Sequence, residues 1–288
     1  MRISELDEEI LKCLAKFFWL QDIHISCFTG ENSGYIKGRL KALARAGLIQ
    51  RKQLASQDPA CNWITREGLQ FIGDEGKTVR EPSMTYYLHS KGVADICSYL
   101  TLPIFGEGKN ERKYTLASIV TEREFLAVRE MIETGTRSDG QPIRTPADKE
   151  IHAPDAYLKT GTGYIAIEFE RTRKTTIQTV EKNMRSLCSR FYRQFWFYEG
   201  RPVEIRLDVL AKKFPRGTVI PFNMDKVLPK VYDYVENLPK VISSKSGVPR
   251  SSAAGDAEVI PLNKLPIIRE VKVEETRLGH KHYVSLDK

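Results

Sequence analysis

The segment HAPDAYLKTGTGYIAIEFERTRKTT, residues 152–176, restricts the fold more than any other part of this chain. Two runs, DAYLK and YIAIEFE, flank a TGTG turn, which is the pattern of a β-hairpin. Side chains alternate between the two faces of a strand. Ile165, Ile167 and Phe169 therefore share one face, and Ala166, Glu168 and Glu170 share the other. Two carboxylates on one face repel each other and gain nothing from burial. Two readings follow. Either that face belongs to an edge strand and is turned to water, or a cation sits among the acids. Asp155, at the start of the partner strand, can join Glu168 and Glu170 in the second case. Three such oxygen ligands suit Mg²⁺ or Mn²⁺. That ion would polarise a phosphate and activate a nucleophile for phosphodiester cleavage. The basic run RTRK directly after the acids favours a polyanionic substrate.

The first seventy residues carry a different pattern. Leu6, Ile10, Leu11 and Leu14 recur at helical spacing and predict a helix over about residues 5–18. A short helix over 24–28 follows, then the turn-rich TGENSG. Ser33 is the expected cap of a third helix, with Ile36, Leu40, Leu43 and Ala44 on its buried side and Gly47 at its end. LIQRKQL and CNWIT read as paired strands around the loop ASQDPA, and REGLQFIG starts a further helix. Helix, short helix, turn, helix, two-stranded wing, helix is the order of a winged helix-turn-helix. Tyr35, Lys37, Arg39, Lys41 and Arg45 are expected to face outward from the third helix, with Arg51 and Lys52 on the wing. Such a helix enters the major groove of duplex DNA, its cations on phosphates and a few polar groups on base edges. The alternative is a wing that only pairs proteins, as in a homodimer.

Charge supports the first of these. The chain has 288 residues and a net charge of +8. Residues 33–53 hold six basic side chains and no acid, and residues 171–193 hold seven basic side chains and one acid, Glu181. A basic balance favours polyanions without bearing on fold. The five cysteines are scattered, with neither a zinc pattern nor a disulfide framework. No apolar run is long enough to span a bilayer, and the first residues lack the features of a signal peptide, so a cytoplasmic protein is expected.

Residues 84–100 predict a helix in which His89 is an ordinary half-buried side chain. Thr121 and Glu124 form a capping box, which explains Glu124 but not Glu122. Residues 134–150 read as a long polar loop. After Thr175, Ile177, Val180, Met184, Leu187 and Phe191 line a helix of about 16 residues that carries Lys182 on its surface. QFWFY and VEIRLDVL then read as two strands, and residues 222–240 as a helix interrupted at Pro229. A low-complexity stretch over 243–257 introduces a tail suited to a protein partner or to an added strand. The expected class is α+β, with domains at 1–76 and 82–240 and a flexible segment at 241–288.

The Pro-Asp at Pro154–Asp155, the hairpin and the acid-rich strand resemble the PD-(D/E)XK nuclease fold. The resemblance implies Asp155 and Glu168 as its second- and third-motif acids and Glu122 as the first-motif glutamate. Where the fold has a lysine two residues after Glu168, this chain has Glu170. Arg171, Arg173, Lys174 or Lys182 would have to supply the positive charge. His89, Val93, Thr121–Glu124, Pro154–Ala156, Ala166–Thr172 and Tyr192 follow in the order of the replication-relaxation family of plasmids and integrative elements, and the chain also looks like MOBC-type mobilisation relaxases. This likeness spans about residues 5–200. It implies a site-specific DNA-binding protein of a mobile element that nicks DNA with a metal ion, with Asp155, Glu168 and Glu170 on the metal and Lys174 and Lys182 near the phosphate. A regulator or accessory factor that keeps the fold without catalysis is the alternative, and an adaptor working through the tail is a third.

Overall fold

A computed structural model of the chain describes residues 3–54, 56, 58–103, 114–128, 131–136, 141–146, 152–172, 176–239, 264–265, 272–275 and 281–284. It is a mixed α+β structure of two compact units. The first comprises Met1–Ile119 with Asp225–Asp256, and the second Val120–Met224 with Ala257–Lys288. Among the described residues no helix is long and apolar enough to cross a membrane.

In the first unit, α1 (Glu5–Lys16) starts at a capping box. The Ser4 N–H and Oγ donate to Asp7 Oδ2, and the Asp7 N–H donates to Ser4 Oγ. Strand β1 (Leu20–Gln21) leads into α2 (Asp22–Thr29). Asn32 rather than Ser33 caps α3 (Ser33–Arg45), accepting the Gly34 N–H at 2.9 Å. A cap has to sit outside the helix, and Ser33 is already its first residue. Gly47, at φ +77°, turns the chain out of α3 into β2 (Ile49–Lys52). Strand β3 (Cys61–Ile64) pairs antiparallel with both β1 and β2. Helix α4 (Arg66–Phe71) is capped by Thr65 and lies against the wing at Gly68, where a Cβ would stand 2.2 Å from the Leu48 carbonyl oxygen.

Helix α5 (Met84–Thr101) continues this unit past the boundary read from the sequence. It packs against α2 through buried polar contacts. His24 Nδ1 accepts the Gln21 N–H at 3.1 Å, so its Nε2 carries the proton donated to Asp95 Oδ1 at 2.9 Å. Lys91 reaches the other Asp95 oxygen at 3.1 Å, and Cys27 Sγ donates to the Ser98 carbonyl. His89 is half-buried. The helix Met224–Glu236 runs unbroken through Pro229, and its Lys230 lies over the Tyr99 ring of α5.

The second unit is built on a five-stranded mixed sheet. Strand β4 (Ile119–Thr121) leads into α6 (Glu122–Ala127), whose Thr121–Glu124 capping box forms as expected. The stretch expected as a loop, 134–150, overlaps a bulged hairpin, β5 (Met131–Thr136) with β6 (Pro142–Pro146). Gly135 stands at its bulge, and a glycine marks a bulge as well as it marks a loop. Strands β7 (Ala156–Thr160) and β8 (Gly163–Glu170) form the hairpin read from the sequence. Helix α7 (Ile177–Cys188) then returns the chain to β9 (Arg193–Tyr198), parallel to β8.

The segment VEIRLDVL, expected as a strand, is helix α8 (Arg201–Ala211). Its residues satisfy both periods. Val203, Ile205, Leu207 and Val209 alternate as a strand would, while Val203, Leu207 and Leu210 have helical spacing. The structure buries the second set and exposes Ile205 and Val209. Strand β10 (Val219–Asn223) runs parallel to β9. Parallel neighbours need a crossover, which a strand cannot supply. The sheet order is β10-β9-β8-β7-β4. A core of Tyr157, Ala166, Val180, Met184, Leu187, Trp196, Val203 and Leu207 joins one face of the sheet to α7 and α8. Within the tail, Leu265 is buried in this core, and β11 (Lys272–Glu275) pairs with β12 (Lys281–Val284).

Candidate functional site

Helix α3 separates the predicted DNA-contacting residues into two groups. Tyr35, Lys37, Lys41 and Arg45 are exposed, as is Lys52 on β2. Lys52 makes a surface pair with Glu81 at 3.2 Å, a contact worth little in water. Arg39 does not share their surroundings. Its guanidinium clasps Asp7 with two bonds of 2.9 and 2.5 Å, and the Asp7 side chain is fully buried. Burial opposes the Asp7 charge, but bonds from Arg39 and Ser4 outweigh it and hold the carboxyl below its usual range. Arg51 likewise holds both Asp22 oxygens, at 2.7 and 2.8 Å, and the Asn62 side-chain oxygen. Two of the six expected DNA cations thus tie α3 to α1 and the wing to α2.

Gly38 lies on the exposed side of α3, with open space where its Cβ would be. Glycine in a helix interior costs roughly 1 kcal/mol relative to alanine. No internal contact of α3 requires it.

In the second unit the topology brings the predicted acids to one end of the sheet. β8 is an interior strand, so Glu168 does not face open water; it is 7% exposed. The Glu122 N–H donates to the Asp155 carbonyl at 3.2 Å, placing the start of α6 beside the start of β7. Asp155 stands one step beyond the Ala156–Ile167 pair, opposite Glu168. Glu170 is at the end of β8, paired with Tyr198. Ligands of open α/β sheets bind at this end, outside the carboxyl ends of parallel strands.

The carboxylates are engaged by protein donors. Asp155 Oδ2 accepts the Phe169 N–H at 2.7 Å, and Glu168 Oε1 meets His152 Nε2 at 3.0 Å. No sequence pattern singles out His152, although it stands three residues before Asp155. Its backbone N–H donates to Ser186 Oγ on α7. Burial would favour the neutral ring. The Glu168 bond and the charges of Glu168 and Asp155 outweigh it and raise the imidazole above its ordinary range. A buried carboxylate needs such a partner. Among the described residues no three His, Cys, Asp or Glu side chains converge as ligands of a metal ion would. As they stand, Asp155, Glu168 and Glu170 do not form a ready-made Mg²⁺ or Mn²⁺ cage. Lys182 is exposed on α7, and Lys174 lies outside the described residues. Tyr192 serves packing: its hydroxyl meets Thr160 Oγ1 at 3.2 Å and its ring lies against Gly163.

No family model, curated protein or solved structure matches the chain.

Proposed function

We propose that the chain binds duplex DNA through α3 and β2. The observation that carries this reading is the exposed row of Lys37, Lys41 and Arg45 on a helix whose opposite side is buried through Ile36, Leu40 and Leu43. The succession α1, α2, α3, then β2 and β3, then α4 supports a winged helix-turn-helix, in which α3 is the groove-reading element. Together with the acid-bearing sheet, it supports a winged-helix, PD-(D/E)XK-like protein of the replication-relaxation type, acting at a specific site of a mobile element.

The test is anisotropy with labelled duplexes over a salt series. Each phosphate contact contributes about 0.9 to the slope of log affinity against log salt. Replacing Lys37, Lys41 and Arg45 together with glutamine is expected to lower the slope by about 2 to 3. An unchanged slope and affinity would overturn the reading.

A second reading, strand nicking, is favoured by one observation: Glu122, Asp155, Glu168 and Glu170 are gathered at one end of the sheet. A catalytic Mg²⁺ or Mn²⁺ would require Glu168 to exchange His152 for the ion. Supercoiled plasmid carrying the element's origin, incubated with Mn²⁺, distinguishes the two. Nicking by the wild type and not by Asp155→Ala supports the enzyme. Intact DNA binding with no nicking leaves the non-catalytic DNA-binding factor.

A further inference from the structure

The opposite end of the same sheet is basic. Three connections meet there: the β7–β8 turn at 159–164, the α7–β9 loop at 189–193 and the α8–β10 loop at 212–218. They lie side by side. The Tyr192 N–H donates to the Tyr164 carbonyl, and the Gln194 N–H donates to the Thr218 carbonyl at 2.7 Å. Arg193 Nε donates to the Gly217 carbonyl at 3.2 Å. These segments contain Lys159, Arg190, Arg193, Lys212, Lys213 and Arg216, and no acidic residue. Lys159, Lys212, Lys213 and Arg216 are exposed. Lys213 bonds Glu181 of α7 at 2.7 Å, and Arg190 is held on the Leu265 carbonyl. Arg193 lies over the half-buried Tyr192 ring, 5.7 Å from its centre.

We propose that this basic end is a second nucleic-acid surface, one that grips the sugar-phosphate backbone without reading sequence. Like charges on neighbouring loops repel, and among the described residues no ion pair holds Lys159, Lys212 or Arg216. From β7 to β10 is three strand spacings, about 14 Å at about 4.8 Å each. One DNA strand presents about four phosphates over that length, at 3.4 Å per charge. The surface favours nucleic acid over an anionic membrane because none of the exposed large hydrophobic side chains lies in these three segments. Membrane-surface segments combine basic residues with apolar ones that enter the lipid. The proposal does not depend on α3.

The experiment uses the full chain and a labelled duplex of arbitrary sequence, with the triple variant Lys159→Gln, Lys212→Gln and Arg216→Gln. Its expected effect is about tenfold weaker binding and a salt slope lower by about 2 to 3. Wild-type affinity and slope in the triple variant overturn the proposal, even where the α3 variant has lost binding. Loss in the triple variant with an unaffected α3 variant sustains the proposal and removes the α3 reading instead. Vesicles of phosphatidylserine and phosphatidylcholine form the control arm. Loss of vesicle binding with DNA binding unchanged assigns the surface to a membrane and overturns the proposal.

Discussion

Replacing Asp95 with alanine is expected to destabilise the first unit by about 3–5 kcal/mol, the usual loss when one partner of a buried ion pair is removed. Domains are commonly stable by only about 5–15 kcal/mol, so the variant stands near the threshold of folding. Asp95 is 2% exposed and accepts from both His24 and Lys91. Its removal leaves the fully buried His24 Nε2–H without its acceptor and the Lys91 ammonium without its counter-charge. Lys91→Met is expected to cost less, because His24 still satisfies Asp95. Burial opposes the Asp95 charge, but the His24 bond and the Lys91 charge outweigh it and keep its carboxyl below the usual range. A carboxyl lowered by folding contributes stability above its unfolded pKa, about 3.9, and that contribution is lost as pH falls through the folded value. Urea melts over a pH series therefore should show an acid limb that Asp95→Ala reduces. A melt of Asp95→Ala that coincides with wild type would remove this account of how α2 is held on α5.

The second large effect concerns Arg39 and has a sign that separates two roles. Arg39→Gln is expected to weaken duplex binding severalfold without changing the salt slope, whereas Lys41→Gln lowers the slope by about 0.9. Asp7→Asn is the decisive partner. It removes the carboxylate that clasps Arg39 and adds net positive charge beside α3. If Arg39 contacts phosphate, freeing it tightens DNA binding. If Arg39 positions α3 on α1, as its two bonds to Asp7 indicate, the same change weakens binding because α3 loses its anchor. Circular dichroism at the assay temperature confirms that each variant is folded. Tighter binding by Asp7→Asn would return Arg39 to the DNA-contacting face.

The features legible in the sequence are those written in short-range patterns. The helical spacing of Leu6, Ile10, Leu11 and Leu14, the capping box at Thr121 and Glu124, the glycine after α3 and the turn between β7 and β8 all depend on residues within a few positions of one another. Where two local patterns coincide, the sequence is silent. VEIRLDVL fits a strand and a helix equally well, and only the parallel pairing of β9 with β10 demands the helix. The alternation of β8 is plain in the sequence, yet alternation cannot distinguish an edge strand from an interior one. β9 decides that by pairing along β8 and burying Glu168.

The candidate sites divide in the same way. By itself the sequence determined which residues carry charge and which face of its own helix or strand each occupies. Lys37, Lys41 and Arg45 follow from that alone. The tertiary structure decided which charges meet. Arg39 finds Asp7, 32 positions away, and Arg51 finds Asp22, 29 positions away. His152 crosses to Glu168, and loops separated along the chain pool six cations at one end of the sheet. Local preference sets a side chain's direction within its element. Its partner is set by how the elements pack, because desolvation makes a buried charge without a partner too costly to keep.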